Sequence, residues 1–152
     1  VAPSRGLGDV YKRQEDPLSG GKGNSMRYFN FAHVDASLKA DGKTNLFCGG
    51  ERAGAMVGHT EAIVSGSLAG HNAARAANGL APVILPETTA IGEFIGYVVK
   101  QMLDAETRNK KYTFSGSVYF ERMQAKNLYS TDDDAIKARV EAEGCTNIFS
   151  NL

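Results

Sequence analysis

The stretch LFCGGERAGAMVGHTEAIVSGSLAGHNAARAANGL, Leu46 to Leu80, constrains the fold more than any other part of the chain. A short apolar run ends at Gly49-Gly50, a glycine-rich loop reaches Gly58, and helix signals follow. His59 or Thr60 stands near an N-cap, Glu61 suits the first turn, and Gly79 fits the position just past the last turn, so a helix is predicted from about Thr60 to Asn78. Inside it, Gly66 and Gly70 each cost about 1 kcal/mol relative to alanine. Ala62, Gly66, Gly70, Ala73 and Ala77 fall close to one line, which makes the helix thin and predicts close approach of another backbone. Ser65, His71, Asn72 and Arg75 exclude the membrane version of such a seam. The helix N-terminus offers free N–H groups to negative charge, and the four glycines at 49, 50, 54 and 58 let backbone approach a ligand. Strand, glycine loop and helix start is the order of parts in a nucleotide site. A plain connection is equally consistent with the residues alone.

Other segments carry weaker signals. Ser4 to Gln14, SRGLGDVYKRQ, resembles the translated read-through of a sequencing adapter, so Val1 to Gln14 is expected to lie outside the fold. Its Gly6-x-Gly8 is no dinucleotide fingerprint, because Tyr11 stands where the third glycine belongs. Glu15 to Met26 reads as a loop and Met26 to Val34 as a strand; Asn45 to Cys48 reads as a second strand and Lys110 to Phe114 as a third. Asp41-Gly42 marks a turn. The Gly-Lys-Thr there is no phosphate loop, since Ser37 replaces the required first glycine. Ala81 to Pro86 is extended between prolines. A second helix is expected over Thr89 to Thr107, with Ile91, Phe94, Ile95, Val98 and Met102 on one face. A short helix over Ser115 to Asn127 and a last one with a Ser/Thr cap and terminal Gly144 complete the pattern.

Charge and cysteine usage exclude several functions. Without Arg5, Lys12, Arg13 and Asp9, the 17 basic and 17 acidic residues become 14 and 16, so no basic footprint for nucleic acid emerges. Cys48 and Cys145 are too far apart in sequence for a metal or redox motif; two lone cysteines fit a reducing cytoplasm, and no apolar run is long enough to cross a membrane. Asp132, Asp133 and Asp134 read as a helix start and not as a metal cluster. No metal site is expected. His71 reads as a packed or surface residue, His33 has no assigned role, and Cys48 reads as a small packed residue. Arg108, Lys110 and Lys111 with Tyr112 and Phe114 could touch RNA, though a solvated helix end explains the charges as well.

Gly49-Gly50-Glu51, Gly58, Glu61, Gly66, Leu68-Ala69-Gly70 and Asn72-Ala73, followed by GLAPVILPETTAIGEFIGYV, together resemble the last FAD-contacting segment of the GidA-type flavoproteins. These comprise the tRNA uridine-modifying GidA family and the folate-dependent tRNA uracil-5-methyltransferases, TrmFO, and the second segment lies nearer the TrmFO branch. The resemblance covers Asn45 to about Tyr97. Glu51 stands where the family carries glutamine, the loop between Gly54 and Glu61 is one residue longer, and His59 stands near a common tyrosine.

The resemblance implies an α/β fold: the C-terminal fragment of a FAD-binding, Rossmann-like flavoprotein with a mostly helical C-terminal part. Residues 15–80 would close the FAD-binding domain and 81–152 would form the helical region. FAD would lie against Gly49, Gly50, Glu51, Val57, Gly58, His59, Thr60 and Glu61, with the helix N-terminus at the pyrimidine edge of the isoalloxazine. His59 would either bond the flavin or simply start the helix. NAD(P)H and methylenetetrahydrofolate would be co-substrates, tRNA a partner, and the remainder of the FAD domain an N-terminal partner in a longer protein. The catalytic cysteines would lie upstream, and the fragment alone would bind FAD poorly and be inactive. Two other readings remain: a GidA-like oxidoreductase with a non-tRNA substrate, and a non-catalytic helix-packing or interaction module.

Overall fold

The computed structural model describes residues 31–54, 56–108, 110 and 112–150. The expected tail at 1–14, the loop at 15–26 and most of the first strand lie outside them. Among the described residues four α-helices follow one another: α1 His59–Ala77, α2 Ala90–Met102, α3 Ser117–Ala125 and α4 Asp133–Ala142. A 3-10 turn, Gly50–Ala53, precedes them, and another, Ile148–Ser150, follows.

Among the described residues no extended strand forms, so the strand half of the α/β expectation is not seen there. Isolated bridges take their place: Val34 with Ala40, Lys39 with Phe47, and Met56 with Tyr112. The reason is length. Between residues 33 and 48 the chain reverses twice, at 36–37 and at Asp41-Gly42, so each limb meets its neighbour at one residue pair and no ladder extends. The Asp35 carboxylate holds the first reversal by accepting from Ser37 N, Ser37 Oγ and Lys39 N, at 2.8, 2.6 and 3.2 Å.

The helices follow local signals. Helix α1 begins one residue before its predicted start and ends one before its predicted stop. Its end is a Schellman motif: Leu80 N donates to Arg75 O, Gly79 N donates to Ala76 O, and Gly79 takes φ +71°. Helices α3 and α4 stop in the same way, at Asn127 (φ +55°) and Gly144 (φ +65°). Helix α2 ends five residues earlier than expected. There Asp104 Oδ1 captures Glu106 N and Thr107 Oγ1 donates to Gln101 O, bonds that compete with continued helix. Helix α4 is capped by Asp132, whose Oδ1 accepts from Asp134 N and Ala135 N, and not by the expected Ser or Thr.

One core cluster gathers Leu38, Met56, Leu68, Phe94, Ile95, Val98 and Tyr119. The apolar face read from α2 is buried at Phe94, Ile95, Val98 and Met102, and half-buried at Ile91. Asn72, fully buried on α1, ties three pieces together. Its Nδ2 donates to Ser37 O and to Val83 O, and its Oδ1 accepts from Val83 N. The extended segment after α1 is thus fastened by a side chain.

Candidate functional site

Gly49 lies on α1 so closely that a Cβ there would stand 2.8 Å from Gly66 N and 2.9 Å from both Gly66 Cα and Ser65 C. Gly50, at φ +60°, sits over Ala62 and donates its N–H to Ser65 Oγ at 2.7 Å; that hydroxyl in turn donates to Glu61 O. The glycine pair is therefore required by packing within the chain. Among the described residues, the close approach expected along the line of small residues on α1 is made at its start, by Gly50 over Ala62 and by Gly49 against the Gly66 backbone. Gly66 and Gly70 are themselves exposed, and a Cβ on either meets nothing within 4 Å.

These two environments call for opposite outcomes. Gly49→Ala is expected to destabilise the fold by about 1–3 kcal/mol, the usual cost of overpacking against backbone that cannot swing aside. Gly66→Ala and Gly70→Ala are expected to stabilise it by roughly 0.5–1 kcal/mol each, since alanine gains helix propensity in open space. Urea unfolding of the three variants is the measurement.

The loop from Gly54 enters α1 through Gly58, at φ +124° and ψ +161°, a region left to glycine. Gly58 is the N-cap and supplies no side-chain hydrogen bond, so the first N–H groups of α1 have no acceptor from the cap. Gly58, His59 and Thr60 are exposed, as is Glu51; Val57 is half-buried. Glu61 differs. Its carboxylate is buried, and Oε1 accepts from Phe114 N at 2.6 Å, 53 residues away. Val57 N donates to Tyr112 O beside it, and Met56 pairs with Tyr112 in a parallel bridge. The helix start is thereby stitched to residues 112–114. The structure brings Gly49, Gly50 and the Glu61 carbonyl together around Ser65; the Glu61 carboxylate lies against Gly58, and His59 and Thr60 are exposed at the helix start.

The other sequence candidates have structural partners. His71 is buried, its ring edge-to-face with Phe149 at 5.3 Å. Tyr112 is buried and Phe114 lies against Phe94 with ring centroids 4.5 Å apart, so neither forms a stacking platform beside Arg108 and Lys110; Lys111 lies outside the described residues. Cys48 is half-buried and its N–H donates to Leu38 O. No group of three or more potential metal ligands clusters among the described residues.

One charged cluster was not legible in the sequence. Glu93, buried on α2, meets Arg122 at 2.6 Å and Lys126 at 3.1 Å, both contributed by α3 or its C-cap. The Arg122 guanidinium lies 4.5 Å from the Tyr97 ring centroid. Burial alone would raise the Glu93 carboxyl, but the hydrogen bonds from Arg122 and Lys126 and the guanidinium charge outweigh it and hold the carboxyl below its ordinary range. Its hydrogen bond to Glu93 raises Arg122, against the cost of burial. Burial pushes Tyr112 up to about 12 and carries Tyr119 further in the same direction. A spacing of 29 residues between Glu93 and Arg122 gives no periodic signal by which to find the pair.

Residues 19–81 match the family model "Glucose inhibited division protein A". Among curated proteins, the methylenetetrahydrofolate–tRNA-(uracil-5-)-methyltransferase TrmFO of Thermosynechococcus vestitus is 44% identical over 65 residues, 43% of this chain and 14% of that protein. The TrmFO of Bacillus cereus strain ATCC 14579 is 33% identical over 100 residues, 65% of this chain and 20% of that protein. That of Lacticaseibacillus paracasei is 45% identical over 56 residues, 37% of this chain and 12% of that protein. The chain thus spans a fifth or less of the length of these relatives. No solved structure gives a significant match. No helix among the described residues is long and apolar enough to cross a membrane.

Proposed function

We propose that this chain, GidA/TrmFO-like over residues 19–81, is the part of a FAD-dependent oxidoreductase that presents a helix N-terminus to the flavin, in an enzyme that modifies tRNA uridine by the folate-dependent uracil-5-methylating route. The observation that carries this is the open start of α1: a glycine N-cap without side-chain bond, followed by exposed His59 and Thr60. Uncapped N–H groups and the positive end of the helix dipole suit an acceptor edge that gains negative charge.

Gly58, His59 and Thr60 fit such a group, and Glu51 is free to reach it. Gly49, Gly50 and Glu61 serve it indirectly, by seating the loop on α1 and by anchoring the helix start to Phe114. The flavin, when bound, supplies hydride acceptance and return; the chain orients its pyrimidine edge and holds N–H donors toward it.

His59→Ala in the full-length flavoprotein is the sharpest test, because an exposed side chain can be removed with little effect on stability. A shifted flavin reduction potential with an unchanged thermal melt is expected. Gly58→Val is expected to weaken FAD binding about tenfold or more, near 1.4 kcal/mol. It also strains the backbone and drives a side chain into the Glu61 carboxylate, so its melt must be read beside Gly79→Ala, which carries only the cost of a left-handed position. An unaltered potential in His59→Ala together with unaltered FAD affinity in Gly58→Val would remove the helix start from the flavin site.

A further inference from the structure

Glu61 carries a buried charge that the fold leaves largely uncompensated. The residue is 5% exposed and stands in the first turn of α1. Its Oε1 accepts from Phe114 N at 2.6 Å, and its Oε2 lies against Gly58, where a Cβ would collide with it. Among the described residues no lysine, arginine or histidine pairs with this carboxylate. Glu93, buried at 2%, shows the ordinary arrangement, with Arg122 and Lys126 beside it. Burying a charge without a counter-charge is costly, and one amide N–H offsets only part of that cost. What remains to offset it is the start of α1: N–H groups that receive no bond from the N-cap side chain, and the positive end of the helix dipole. The carboxylate in turn neutralises part of that positive end. Burial spares it most of the screening that salt gives an exposed charge.

We propose that Glu61 sets the reduction potential of the bound flavin, acting through the helix start without touching the cofactor. The Phe114 N–H holds the carboxylate against the N-cap, and the fixed negative charge weakens the pull of the helix start on electrons arriving at the pyrimidine edge. With the flavin at the start of α1, the premise taken from the proposed function, the effect has a definite sign: Glu61 lowers the potential.

Two variants of the full-length flavoprotein separate charge from shape. Glu61→Gln removes the charge and keeps an oxygen to accept from Phe114 N. Glu61→Asp keeps the charge and, one methylene shorter, loses the reach to Phe114. Each holoenzyme is taken through a redox titration beside its thermal melt. Glu61→Gln is expected to favour the reduced form about tenfold, a rise of about 30 mV for a two-electron couple, with a melt close to that of the wild type. Glu61→Asp is expected to melt lower and to hold the wild-type potential. A purely structural role reverses this pattern, silent in Glu61→Gln and shifted in Glu61→Asp. An unchanged or lowered potential in Glu61→Gln, or a shift in Glu61→Asp as large as that in Glu61→Gln, would overturn the proposal. His59→Ala then tells how far the failure reaches. A potential that moves in His59→Ala but not in Glu61→Gln removes the role of Glu61 alone, whereas no movement in either removes the flavin from the helix start as well.

Discussion

Asn72→Ala is expected to lower unfolding free energy by about 3–5 kcal/mol, enough to unfold a large share of molecules of ordinary stability. The side chain is wholly buried and makes three hydrogen bonds, all to main chain: two to Val83 and one to Ser37. Alanine leaves the buried Ser37 carbonyl and the half-buried Val83 N–H and carbonyl unpaired, at about 1–3 kcal/mol for each group kept from water before relaxation. It also releases the 81–86 segment, which has no regular secondary structure of its own. Asn72→Asp keeps the acceptor for Val83 N but loses both donors and buries a charge, so it should be no milder. Asn78, whose Nδ2 donates to Ala74 O on the surface, is the control, and its alanine variant should lose less than about 1 kcal/mol. Equilibrium urea unfolding decides the matter; a loss at Asn72 comparable to that at Asn78 would show that the clamp carries no stability.

Arg122→Leu should cost about 3–5 kcal/mol at neutral pH, and more than Glu93→Gln. The asymmetry follows from burial. The Glu93 side chain is 2% exposed, whereas those of Arg122 and Lys126 are 35% and 40% exposed. Losing the guanidinium strands a carboxylate away from water with only Lys126 beside it. Losing the carboxylate instead leaves cations that already touch solvent. The pH dependence has a definite sign. The Glu93 carboxyl is held below its ordinary 4.5 in the folded state, so its contribution is fully present above that value and is lost as pH falls through the folded value. In Arg122→Leu, burial is no longer offset by the guanidinium and raises the Glu93 carboxyl, so the stability gap to wild type should begin to narrow above pH 4.5 and go on narrowing in acid as the wild-type carboxyl also protonates. Denaturation midpoints measured along a pH series provide the check. A constant gap at all pH values would assign the loss to packing over Tyr97 alone.

The helices were legible because their signals are local. Gly79 and Gly144 mark stops that the backbone uses, and the face from Ile91 to Met102 marks the side of α2 that meets the core. Among the described residues, Ala32 to Val34 and Asn45 to Cys48 meet neighbours only at isolated bridges, because alternation describes side chains, while a strand also requires a neighbour over several residues. The candidate site was partly visible. Glycines at 49 and 50 announce close contact, but nothing in composition says whether the contact is a ligand or Ser65 and Gly66 of the following helix. Glu61 looked like a first-turn acid; its bond to Phe114 depends on a pairing 53 residues apart.

Three of the four helices close on the same pair of reversed hydrogen bonds, after Ala77, Ala125 and Ala142. Such endings are written within six residues, so the length of each helix is settled by sequence that is already at hand when the helix forms. Order of events follows from this. The local segments can acquire their limits while the chain is still open, and contacts that close long loops, among them Ser37 to Asn72, Glu93 to Arg122 and Glu61 to Phe114, are left to form late. In a chevron experiment, lesions at the helix stops should act mainly on the folding limb, and lesions at the long closures mainly on the unfolding limb. The start of α1, joined to the rest of the fold by the Glu61–Phe114 closure, would then be among the last parts to take its final position and the first to let go.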